Sequence, residues 1–168
     1  MHKFKNLFLK VYSHIIKYDF IFDYIETLNW NILITRFDKN TLLTDASYLN
    51  QLEFVQFLIK NGADIHARYD DALRSASMNG HLEVVKFLIQ NGDDNHAYNG
   101  QALRLASKEG HLEVVKLLIQ NGSDIHAMDY YALQWALQWA SYYGHLEIVQ
   151  FLIENGADIH AIGLMEVI

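Results

Sequence analysis

A chain of 168 residues, 51% hydrophobic and 13% aromatic, holds enough apolar material for one compact domain or one short array, and too much for a disordered chain. It has no Cys and no Pro, which excludes disulfide scaffolds, thiolate metal sites and cysteine nucleophiles. The net charge of −7 divides unevenly: residues 1–40 carry six basic and four acidic side chains, residues 41–168 seven and sixteen, and so acidic a body repels phosphate backbones.

Residues 1–40 begin with an apolar stripe, Phe4, Leu7, Phe8, Val11 and Ile15, with Lys3, Lys10 and Lys17 largely off it. A second apolar stretch runs from Phe20 to Leu28. No h-region or small-residue cleavage site follows the early lysines, and no apolar run approaches the roughly 20 residues of a membrane span. The expectation is a helical cap over 1–40 and an intracellular protein. A basic amphipathic helix lying on a membrane is the weaker reading, because Tyr12, Ile16 and the aromatics that follow spread the apolar surface too widely.

From residue 41 the chain repeats itself. QLEFVQFLIKNGADIHA starts at Gln51, HLEVVKFLIQNGDDNHA at His81, HLEVVKLLIQNGSDIHA at His111 and HLEIVQFLIENGADIHA at His145. DALRSASMNG (71–80), QALRLASKEG (101–110) and YALQWALQWASYYG (131–144) lie between, with a weaker copy, TLLTDASYLN, at 41–50. Each unit reads as two helices. In the longer, Leu82, Val85, Leu88 and Ile89 recur at helical spacing, Glu83 complements the helix dipole, and Asn91-Gly92 closes the end, with glycine expected in a left-handed conformation. The shorter turns Ala72, Leu73 and Ala76 inward and ends at Gly80. One such pair cannot bury its own apolar face; stacked copies can. After His160-Ala161 the wording is lost, so 162–168 reads as a tail and the last long helix as uncapped.

The four extra residues between 131 and 144 are a tandem ALQW, 132–135 and 136–139. Four residues turn a helix by about 400°, so Leu133 and Leu137 stay on nearly one face. The second copy is expected at the ordinary repeat position. The first should lengthen the helix at its N-terminus and leave Trp135 and Leu133 partly exposed beside the groove; the alternative is a bulged loop.

GHLEVVKFLIQNG (80–92) and GHLEVVKLLIQNG (110–122) resemble the second helix of the ankyrin repeat, and NGADIHA (61–67) the turn into its hairpin. The resemblance covers about residues 41–161. It departs from the family in a period of 30 residues instead of 33, and in Asp71-Ala72-Leu73-Arg74, Gln101-Ala102-Leu103-Arg104 and Tyr131-Ala132-Leu133-Gln134 where the family has Thr-Pro-Leu-His. This shortened form is similar to the ankyrin proteins that giant DNA viruses encode. The resemblance implies an all-α repeat solenoid of about four stacked helix-turn-helix units with short hairpin connections, and a non-catalytic module that binds a protein in its concave groove.

The residues give little support to chemistry. Seven of the nine histidines fall at two repeat positions, His81, His111 and His145 at the start of the long helix and His66, His96, His126 and His160 in the hairpin, which spreads them in rows instead of converging them on a metal. Asp64, Asp94, Asp124 and Asp158 suit turns. There is no phosphate loop and no nucleophile elbow. No enzyme activity, cofactor, metal site or small-molecule substrate is expected.

Positions that differ between copies carry the remaining information. Aligned to the family's groove, they are Arg68, Tyr69 and Asp70; Tyr98 and Asn99; Met128, Asp129 and Tyr130; and Trp135. The ends of the short helices add Tyr48-Leu49, Met78-Asn79, Lys108-Glu109 and Tyr142-Tyr143. Tyrosine is favoured at interface hot spots. The partner expected is a protein of unknown identity. The competing expectations are a structural or self-associating array, meeting through its uncapped C-terminal end, and a fragment of a larger array with no target of its own.

Overall fold

The structure is a computed structural model that describes residues 30–92, 99–121 and 130–157. Most of the expected N-terminal cap, the tail, and His96, His126 and His160 lie outside these residues. Among the described residues there are nine helices and no strand: α1 (Trp30–Arg36), α2 (Lys39–Tyr48), α3 (Leu52–Lys60), α4 (Ala67–Met78), α5 (Leu82–Asn91), α6 (Asn99–Glu109), α7 (Leu112–Asn121), α8 (Tyr130–Tyr142) and α9 (Leu146–Glu154). Even-numbered helices are those the sequence reads as the shorter of each pair and α3, α5, α7 and α9 those it reads as the longer; the observed lengths are the reverse, 10–13 residues against 9–10, so short and long hereafter denote the first and second helix of a unit. The short helices pack side by side as one layer, and each long helix folds back on its own short one. No helix among the described residues is long and apolar enough to cross a membrane.

One core runs through all four units. Leu58, Leu88, Leu118 and Leu152 hold the same place in the long helices and are all buried, as are Val55, Val85 and Val115. Full burial of each leucine is worth about 2 kcal/mol. In the short helices Ala72-Leu73-Ala76, Ala102-Leu103-Ala106 and Ala136-Leu137-Ala140 are buried, and alanine lets these backbones approach. The second ALQW copy therefore occupies the repeat position, as its helical phase requires. The first copy does not bulge out: α8 is one helix of 13 residues, against 10 for α2.

Local chemistry fixes the ends. Asp38 caps α2, its Oδ2 accepting from the backbone N–H of Thr41 at 2.8 Å. Glu53, Glu83, Glu113 and Glu147 occupy the first turns of the long helices. At the other end Asn61, Asn91, Asn121 and Asn155 each donate Nδ2–H to the carbonyl four residues back, at 2.8 Å in every copy. In α3 and α9 the same carbonyl, of Phe57 and Phe151, also accepts from the backbone N–H of that Asn at 3.1 Å, so the side chain supplies a second donor that ties the Asn to the last turn. Gly62 and Gly156 are left-handed as expected, but Gly92 is extended, with φ −80° and ψ 132°, so the left-handed closure does not hold there.

A histidine joint links successive units. His81 Nε2–H donates to the Tyr48 carbonyl at 2.9 Å, His111 to that of Met78 at 3.0 Å, and His145 to that of Lys108 at 2.8 Å. The separations along the chain are 33, 33 and 37 residues, so the last joint spans the ALQW insert and remains in register.

At the N-terminal end, Leu33 enters the core and Trp30 packs at 5.2 Å on Phe54 and 5.1 Å on Phe57. The described part of the expected cap thus docks on α3.

Candidate groove on the short-helix layer

The register set by the histidine joints aligns the short helices residue by residue. Thr41, Asp71, Gln101 and Trp135 form one row near their N-terminal ends; Thr44, Arg74, Arg104 and Gln138 form the next, one turn on. Arginines join these rows across units. Arg68 donates to Thr41 Oγ1 at 2.8 Å, with Asp38 Oδ2 at 3.7 Å. Arg74 donates to Asp71 Oδ1 at 2.8 Å within its own helix and to Gln101 Oε1 at 2.7 Å in the next.

A shallow cleft of about 260 Å³ opens between α6 and α8, lined by Gly100, Gln101, Arg104 and Trp135. Trp135 is 48% exposed.

Arg68, Tyr69 and Asp70 form a left-handed turn, with φ of 55°, 61° and 58°, ahead of the regular part of α4. Three consecutive non-glycine residues in this region are uncommon and cost energy. The turn displays Arg68 and Tyr69 outward. It carries Asp70 inward, contrary to the expectation of a groove-facing side chain: Asp70 is 4% exposed, and its Oδ1 accepts from His66 Nδ1–H at 2.7 Å. That hydrogen bond satisfies a carboxylate that burial would otherwise penalise. Sequence spacing alone could not reveal the inversion, because it comes from the sign of φ.

The remaining candidates lie at the opposite ends of the short helices. Asn79 folds back, Nδ2–H donating to the Ser75 carbonyl at 2.8 Å, and Met78 is half-buried. Lys108 pairs with Glu109 at 3.1 Å and places Nζ 5.6 Å from the Tyr143 ring and 6.0 Å from that of Trp139. Trp139 stacks on Tyr143 at 5.8 Å, and Tyr142 meets Tyr143 edge-on at 5.0 Å. The seven steps from Trp135 to Tyr142 span about 10 Å of helix, so the candidates divide into two surfaces, not one groove. Tyr98, Met128 and Asp129 lie outside the described residues, and so do the side chains of Asn99 and Tyr130.

Sequence reasoning missed Arg74, Gln101 and Arg104 as surface determinants. The signal was present: the array holds three arginines, Arg68, Arg74 and Arg104, and all fall on this layer.

The described histidines of both rows are engaged with a carbonyl or a carboxylate. Among the described residues no three His, Asp or Glu side chains converge as metal ligands would.

Two findings from known proteins bear on this arrangement. No curated protein matches the chain. The family model described as ankyrin repeats (3 copies) matches residues 42–129 and again 73–162, from within α2 to beyond the end of α9. With its paired helices, its shared core and its joint from unit to unit, the chain belongs to the ankyrin-repeat family.

Proposed function

We propose that the protein is a non-catalytic recognition module that binds a protein partner along the N-terminal ends of its short helices. The observation that carries this reading is a division of labour. The shared leucines and alanines of the framework (Leu58, Leu88, Leu118 and Leu152; Ala76, Ala106 and Ala140) are buried and the shared histidines are tied into the joints, while the copy-specific Arg68, Tyr69 and Trp135 are exposed on the short-helix layer, Trp135 at the cleft. A surface pre-organised by a stacked core binds with little loss of conformational entropy. The reading includes an intracellular setting, and the 30-residue unit supports a kinship with the short-repeat proteins of giant DNA viruses.

The test compares proteins captured from cell lysate by the native chain, by Tyr69→Ala/Trp135→Ala and by Tyr142→Ala/Tyr143→Ala. Loss of a captured protein with the first pair alone supports the groove. Retention with the first pair and loss with the second moves the site to the tyrosine end.

Self-association is the second reading, favoured by a specific observation. Leu146 is 78% exposed, Tyr142 79%, and Ile153 is exposed too. Their counterparts Leu82, Leu112, Ile89 and Ile119 are buried or half-buried against neighbouring units.

A further inference from the structure

The cleft contains an arginine whose acceptor has been replaced. Arg74 satisfies its guanidinium with the acceptor three residues earlier in its own helix, Asp71, and with the residue in that row of the next helix, Gln101. Arg104 stands one unit further along. The corresponding residue three earlier is Gln101, whose Oε1 already accepts from Arg74. The corresponding residue in the next helix is Trp135, whose indole N–H donates and accepts nothing. Among the described residues Arg104 accordingly makes no hydrogen bond or ion pair. The break lies at the cleft, and the described lining of that cleft holds no carboxylate.

We infer that this cleft receives an aspartate or glutamate side chain from an extended partner segment, with an apolar or aromatic neighbour of that acid packing on Trp135. The inference rests on the groove reading above and specifies the chemistry of its partner. A guanidinium matches a carboxylate with two parallel hydrogen bonds, which makes arginine the residue suited to such recognition. The exposed indole face offers apolar area beside it. The net charge of the chain does not oppose this. Screening at physiological ionic strength acts over about 8 Å, so a carboxylate in the cleft feels Arg104 first. The carboxylates Asp38 and Asp71 nearest the other two arginines are occupied by them. The nucleic-acid alternative fares worse, because a phosphate backbone would meet an acidic body around Arg104.

The test uses random peptides displayed on phage and selected on the whole chain. Selected sequences should be enriched in Asp or Glu next to an aromatic or aliphatic residue. A selected peptide is then synthesised in acid form, in Asn or Gln form, and with phosphoserine at the acid. Changing the acid to its amide should weaken binding about tenfold, the scale of one charge-assisted hydrogen bond. Arg104→Gln should weaken the acid form by a similar factor and have little effect on the amide form. Lys86→Gln, on the exposed face of α5, should change nothing. Equal binding of acid and amide, with Trp135→Ala still weakening both, overturns the carboxylate assignment and leaves the groove reading standing. Binding indifferent to both Arg104→Gln and Trp135→Ala overturns the two together. A phosphoserine form that binds tenfold tighter than the acid also overturns the carboxylate assignment, as does a selection that recovers no acidic peptide.

Discussion

Gly80 and Gly110 sit where the next unit's histidine ring leaves no room for a side chain. A Cβ at Gly80 would lie 2.5 Å from His111 Nδ1, and one at Gly110 would lie 2.8 Å from His145 Cε1. Gly144 shares the left-handed backbone, with φ +79°, but has nothing within 4 Å. Gly144→Ala should therefore cost only the backbone penalty, about 1 kcal/mol. Gly80→Ala must also displace a hydrogen-bonded ring and should cost about 2 kcal/mol or more. Urea unfolding of the two variants gives the difference, and equal losses would mean the joint contributes nothing. Ser77 illustrates a different residue-level conflict. Its hydroxyl is fully buried without a partner among the described residues, as are those of Ser47 and Ser107. Ser77→Ala keeps the small size, removes that unmet group and favours the helix, so it should raise stability by about 1 kcal/mol. Asp45 adds a pH dependence. Burial pushes its carboxyl above the ordinary range, Arg68 opposes the rise and Asp71 adds to it. A raised folded value favours the protonated form in the folded state, so its stabilising contribution is complete in acid and is lost as pH rises through that value. Asp45→Asn should raise Tm at neutral pH, and the gain should vanish in acid; thermal melts at both conditions decide it.

At the scale of the element, the duplicated ALQW offers the sharpest test. Its second copy fills the buried repeat position, and its first ends in the exposed Trp135. Deleting 132–135 should leave stability within about half a kcal/mol, because buried Ala136, Leu137 and Ala140 stay in place. Calorimetry on the deletion would show a marked loss if the extra turn had become core. Much of the array was legible beforehand, since Leu118 and its counterparts recur at one spacing and the apolar face of every long helix follows from them. The less legible features are those settled between neighbours. The inward Asp70 depends on a left-handed turn. That Arg104 finds no acceptor among the described residues depends on which residue of α8 stands beside it, and the sequence offers both Tyr131 and Trp135 for that place. The Asn caps were hidden by the adjacent glycines, which drew the explanation to themselves.

For the molecule as a whole, the described array ends in a face made of the same positions that elsewhere receive a neighbour. Leu146 and Ile153 are exposed there, and Ser141 is exposed where Ser47, Ser77 and Ser107 are buried. Contiguous apolar surface of this kind draws partners. Light scattering over a concentration series should show association of the native chain, and Leu146→Glu/Ile153→Glu should suppress it with the helical circular dichroism unchanged. A native chain that stays monomeric at high concentration would set self-association aside and leave the groove as the route to a partner.

The histidine joint fastens each unit at the C-terminal end of the short helix before it, and it holds whether 33 or 37 residues intervene. Anchorage and innovation are thus assigned to opposite ends of the same helix. A whole extra turn can be spliced in at the free end without disturbing how the units are coupled, whereas an insertion of two residues would rotate the alanine face out of the stack. Such an array can acquire new recognition surfaces in discrete steps, one helical turn at a time, with its assembly left intact.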